Sequence, residues 1–162
     1  MEGLLHSFGH WLQNRSFALA IGGSDWAYPF VQALHFLGLS LWVATNVVLD
    51  LSLLRVGNKH QPPAKLSDDL FLLNWVGFTI AVTGGILLFS VSASMYLANA
   101  AFLTKVGVLV PLGIVLHVVI QLRVHEWGSS SDPPVLARVA AITELLLWFS
   151  VAIAAVSIPY TS

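Results

Sequence analysis

His35 stands inside an apolar stretch long enough to cross a bilayer, on a helical face that also carries Gln32, Trp42, Asn46 and Asp50. At about 100° per residue these positions fall within an arc of roughly 80–90°. Leu34, Leu37, Leu41, Val43, Val47 and Val48 take the other faces. A polar group in hydrocarbon is costly unless it finds a partner, so the stripe is expected to face other helices, a cofactor or water.

Of six histidines, only His35 and His117 lie deep in apolar segments. An imidazole nitrogen is an axial ligand of b-type haem, so these two are the candidate cofactor- and metal-binding residues. Their spans run in the same direction, and their depths differ by roughly 10–12 Å at a rise of 1.5 Å per residue. If haem is bound, the two histidines are therefore expected to serve separate haems, one near each surface, rather than one iron held by both. The competing reading of each is an interhelical hydrogen bond. His6 and His10 have metal-compatible i, i+4 spacing but share a polar face with Gln13 and Asn14, which suits a solvated interface. His60 and His125 fall in loops.

Four further charged residues lie at or near membrane depth. Glu144 sits among Ala137, Ala141 and Ala155, and a hydrogen bond to His117 or to a polar residue of the second span is its simplest account; a proton relay is the sharper one. Lys105 can snorkel to the interface. Asp50 and Arg55, five residues apart, are poorly spaced for an intrahelical pair and should contact another helix or lipid headgroups. In the second span, Asn74, Gly77, Ala81, Gly84, Gly85 and Ser92 gather near one side, which suits close helix packing.

These residues need a scaffold, and the sequence points to an all-α, four-transmembrane-helix bundle with an N-terminal amphipathic interfacial helix. The 162 residues are 57% hydrophobic and 9% charged with mean hydropathy +0.81, where soluble domains carry about 25% charge. Spans are expected at about 28–54, 70–92, 102–122 and 135–158, each adequate for about 30 Å of hydrocarbon. A surface helix is expected over 3–20, with Leu4, Leu5, Phe8, Trp11 and Leu12 on its apolar side, and no secretory signal. The whole chain, 1–162, reads as a single integral membrane domain. Pro62-Pro63 and Pro133-Pro134 mark loops, and Pro111 is expected to kink the third span. Arg55, Lys59, Lys65, Arg123 and Arg138 lie on one side against Arg15 and Lys105 on the other, which places the first side in the cytoplasm and both termini outside.

Composition also excludes. With no cysteine there is no disulfide, iron–sulfur cluster, thiolate metal site or c-type haem attachment. A net charge of −1 implies no nucleic-acid partner. No phosphate loop, nucleophile elbow, carboxylate dyad or metalloprotease motif is read in the sequence, so the chain is not assigned an enzymatic reaction.

The runs Ser24-x-Trp26-x-Tyr28-Pro29, His35-x-x-Gly38 and Asp50-Leu51-x-Leu53-Leu54-Arg55-x-Gly57 resemble the opening of a bacterial four-helix membrane family of unknown function. Thr83-Gly84-x-x-Leu87-x-Phe89, Tyr96-x-x-Asn99-x-x-Phe102-x-x-Lys105 and Leu145-x-x-Trp148 resemble the remainder, so the likeness spans about residues 20–160. Glu144 departs from it, standing where that family usually has a small polar residue. A more distant similarity, resting on a first-span histidine and a lysine opening the third span, is to the copper-resistance D membrane domain and the membrane protoporphyrinogen oxidase family. It implies copper handling or b-type haem at the intramembrane histidine.

Three functions remain open on the sequence. The first is a redox subunit of the bacterial inner membrane that binds haem b and exchanges electrons with quinone or a partner. The second is a non-catalytic anchor or oligomer-forming subunit of a larger complex; the expected partners are the lipid bilayer and either further copies of the chain or a membrane complex. The third is a small ion or metal transporter using the His35–Asn46–Asp50 column. One short bundle without repeats argues against an independent transporter. An interior histidine on a coherent polar stripe favours the redox reading.

Overall fold

A computed structural model of the chain describes residues 2–57, 61–128 and 132–161; Lys59 and His60 lie outside the described residues. The elements are α1 (Glu2–Gln13), α2 (Ser16–Gly22), α3 (Ala27–Leu53), α4 (Pro63–Val91), α5 (Ala93–Ala98), α6 (Ala100–Thr104), a π-helical segment (Lys105–Leu109), α7 (Val110–Trp127) and α8 (Val135–Ser157), closed by a 3-10 turn (Ile158–Tyr160). Four stretches are long and apolar enough to cross a membrane: Ala27–Leu53, Pro63–Val91, Ala100–Trp127 and Val135–Tyr160. The chain is a multi-pass, all-helical membrane protein, with no strand among the described residues.

Local chemistry explains where the boundaries depart from expectation. The surface helix is divided rather than continuous over 3–20. Asn14 Nδ2 donates to the His10 carbonyl at 2.7 Å, Arg15 turns extended, and its guanidinium lies 3.8 Å from the Trp11 ring. The second span begins at Pro63, seven residues early, because proline fits the first helical turn, where its missing N–H has no partner to lose. Pro134 likewise precedes α8 in extended conformation. Near Pro111 the third span carries a π segment; proline offers no N–H to the Gly107 carbonyl, and the turns ahead of it widen.

The tightest interface is between α3 and α4, and glycine makes it possible. A Cβ on Gly38 would stand 2.5 Å from the Ala81 nitrogen, and one on Gly77 would stand 2.8 Å from the Trp42 nitrogen. The small-residue side of the second span is therefore a packing face, as its composition predicts.

Packing is uneven along the bundle axis. At the end bearing the interhelical loops, here the loop end, Leu49, Leu53, Ile120, Val124, Trp127, Ala137, Ala140 and Ala141 form one buried cluster. Toward the end where α1 and the last turn lie, here the terminal end, Ala18, Ser90, Ala93 and Asn99 are buried, but the long helices other than α4 contribute less. No residue is fully buried on α3 before Gly38, on α6 through α7 before Gly113, or on α8 beyond Trp148.

Candidate functional site

His35 lies toward the terminal end. It is half-buried, with Nδ1 2.7 Å from the Ala81 carbonyl oxygen of α4. A carbonyl only accepts, so Nδ1–H donates and the tautomer is fixed with Nε2 carrying the lone pair. Nε2 has no hydrogen-bond partner among the described residues. The imidazole rests on glycine backbone: a Cβ on Gly84 would meet His35 Cβ at 2.9 Å, and one on Gly85 would meet Cε1 at 3.0 Å. Lys105, at the start of the π segment, is within electrostatic range of His35, and its ammonium lies 5.4 Å from the Phe102 ring centroid.

Gln32 departs from the expected buried stripe and is exposed. The stripe is continuous on the helix, but α3 has no fully buried residue before Gly38, so only the lower part is enclosed. Trp42, Asn46 and Asp50 are buried, the last two at 1% and 0% exposure.

The enclosed part belongs to a second polar group, in the middle of the bundle and nearer the loop end. Glu144 Oε1 accepts from His117 Nδ1 at 2.8 Å and from Trp148 Nε1 at 2.9 Å. His117 Nε2 lies 3.1 Å from Asn74 Oδ1 and 2.9 Å from Gln121 Nε2. Asn74 Nδ2 donates to Thr45 Oγ1 at 2.7 Å and to Asn46 Oδ1. Trp75 Nε1 donates to Gln121 Oε1 at 3.0 Å, which fixes the amide orientation, since an indole N–H only donates. The Glu144–His117 contact expected from sequence is thus present, and it extends through Asn74 to α3.

Both ring nitrogens of His117 have protein partners and the residue is 1% exposed, whereas His35 Nε2 has no partner among the described residues. The two histidines also stay apart. Their α4 partners, Ala81 and Asn74, are seven residues apart, about 10 Å along the helix.

The remaining candidates separate as well. Arg55 lies past the end of α3 at φ 60° and makes no ion pair among the described residues, so it does not reach Asp50. Asp50 is fully buried and both its oxygens lack partners, so the expected contact with headgroups is also corrected. His6 and His10 pair with each other on exposed α1, Nε2 to Nε2 at 3.2 Å. Among the described residues, no three His, Asp or Glu side chains gather as a metal cluster.

Trp75, Gln121, Thr45 and Trp148 were not legible as site residues. A signal existed for two of them, because Gln121 and Trp148 stand four residues beyond His117 and Glu144 on the same helical faces. Asn74 read as part of a packing stripe, yet it joins three helices.

Residues 10–161 match the family model described as Family of unknown function (DUF6644), and the chain belongs to that family. No curated protein and no solved structure matches the chain.

Proposed function

We propose that this member of the DUF6644 family is a membrane-embedded redox subunit that binds b-type haem through His35. One observation carries the reading: the Ala81 carbonyl holds His35 Nδ1–H at 2.7 Å, which leaves the Nε2 lone pair without a partner among the described residues. Histidines that bind metals through one nitrogen commonly donate the other N–H to a backbone carbonyl, which fixes the ring and raises its basicity. The residues present therefore fit one axial position. The glycines Gly84 and Gly85 seat the imidazole directly against the α4 backbone and so hold its plane.

Haem bound there would supply one-electron chemistry. The chain's own part is to present Nε2, hold the imidazole plane through Ala81 and place the Lys105 ammonium nearby. A lysine in that position suits an anionic group such as a propionate or a quinone oxygen. Among the described residues, no second side chain that would hold such an iron lies beside His35. His6 and His10 are paired to each other, and Met95 is exposed on α5. A five-coordinate iron, or a second copy of the chain in a homo-oligomer, answers that. The distant similarity to haem- and copper-handling membrane families supports the same histidine. The bacterial inner membrane, with the loop end in the cytoplasm and electrons exchanged with quinone or a protein partner, completes the reading.

The haem content of detergent-purified protein, produced with ample haem, tests it. Near-stoichiometric b-type haem is expected. A colourless, folded protein would overturn the reading in favour of a non-catalytic anchor or assembly subunit, in which His35 serves helix packing.

A further inference from the structure

The middle of the bundle contains five buried polar atoms without a partner: Asp50 Oδ1 and Oδ2, Glu144 Oε2, Asn46 Nδ2 and Trp42 Nε1. They belong to two antiparallel ladders. Trp42, Asn46 and Asp50 descend α3 one turn apart, and Trp148 and Glu144 stand one turn apart on α8. The ladders meet at Trp42 and Trp148, whose rings are 4.5 Å apart, and Asp50 lies within electrostatic range of Glu144. Buried polar groups normally find partners, so several such atoms in one place point to something that binds there.

The layer is closed on both sides. Trp42, Phe78 and Trp148 cover it toward the terminal end, with Trp42 4.8 Å from Phe78. The Leu49–Leu53–Ile120–Val124 cluster covers it toward the loop end. Inside are two carboxyls, each 0% exposed, and one imidazole.

No lysine or arginine is bonded to either carboxyl among the described residues. From α4 the layer meets the uncharged Asn74, while Asp68 lies on the exposed surface with His125. From α7 it meets His117 and Gln121; Arg123 pairs with Glu126 outside. From α8 it meets Glu144, with Arg138 held by Asp132 at the loop end. Uncompensated charge in such a site is expensive, and two carboxylates with one imidazole balance only when the three groups hold two protons.

We propose that this layer is a proton-binding site, with two exchangeable protons distributed over Asp50, His117 and Glu144. One resides on Asp50. The other is held by the His117–Glu144 pair, whose Nδ1 and Oε1 are 2.8 Å apart. Loading transfers H⁺ from hydronium to a carboxylate oxygen and leaves water; nothing is oxidised or reduced. The unpartnered Asn46 and Trp42 N–H groups can donate to water or carboxyl oxygen in the layer. The site is about 10 Å from His35 along α4 and does not rest on the haem reading.

Infrared spectroscopy of the full chain in detergent tests this whether or not the protein is coloured. At neutral pH a protonated-carboxyl C=O stretch is expected. It should move when aspartate is carboxyl-labelled with ¹³C, shift in D₂O, and vanish in Asp50→Asn. The labelled wild-type protein answers the question even if Asp50→Asn fails to fold. Absence of the band at neutral pH, a band insensitive to labelled aspartate, or one that never exchanges in D₂O would overturn the proposal.

Discussion

The imidazole of His35 is locked to the backbone of Ala81, Nδ1 to carbonyl oxygen 2.7 Å, across the closest helix pair in the protein. The link depends on glycine at Gly38, Gly77 and Gly84, which lets α3 and α4 approach until backbone meets backbone. His35 is therefore positioned by the fold itself.

Substituting these glycines should be costly in a position-dependent way. Gly38→Ala drives a Cβ to 2.5 Å from the Ala81 nitrogen and should destabilise by about 1–3 kcal/mol through overpacking. Gly107→Ala, with nothing within 4 Å, should be neutral or slightly stabilising, since alanine is favoured over glycine in a helix by about 1 kcal/mol. Thermal unfolding in detergent compares the two, and equal effects would contradict the interface described.

Much of this architecture was legible in the sequence because it follows from apolar run length. All four spans were, as was an amphipathic N-terminal segment. The site was only partly so. Periodicity put Gln32, His35, Asn46 and Asp50 on one face, but how far along the axis that face is enclosed depends on neighbours, and Gln32 emerged exposed. His117 and His35 look alike as lone histidines in apolar runs. Only the partners of each ring nitrogen distinguish them, and those come from helices far apart in sequence.

Removing His117 should disturb the structure without touching the His35 site. His117→Ala leaves Glu144 Oε1 with only Trp148 and takes a partner from Asn74, a loss of about 1–3 kcal/mol for stranded buried polar groups. Thermal unfolding in detergent should report it. Unchanged stability would mean the network is not formed in the membrane protein.

Alkaline pH should weaken the terminal end through Tyr96. Burial beside Phe89 and Phe102 holds its hydroxyl above the ordinary tyrosine range, with a smaller contribution from Tyr28. A raised folded value favours the neutral form, so the stabilisation is fully present below the unfolded value of about 10 and is lost as pH rises through the folded one. Tyr96→Phe should flatten that alkaline loss in unfolding measured between neutral and strongly alkaline pH. Identical profiles would contradict it.

Lysine and arginine favour the loop end, five against two, and should set the topology. A reporter active only outside the cytoplasm should work when fused after Ser162, and one active only inside should not. The reverse pattern would invert the bundle.

Nε2 of His35, rather than any atom of His117, is the haem ligand we propose. Reduced-minus-oxidised absorption spectra of the wild type, His35→Ala and His117→Ala test it most directly. B-type haem bands are expected in the wild type and in folded His117→Ala, and their loss or a changed coordination signature in His35→Ala, because removing a ligating nitrogen would alter the iron's ligand field. Bands that survive His35→Ala unchanged, or disappear only in folded His117→Ala, would contradict it.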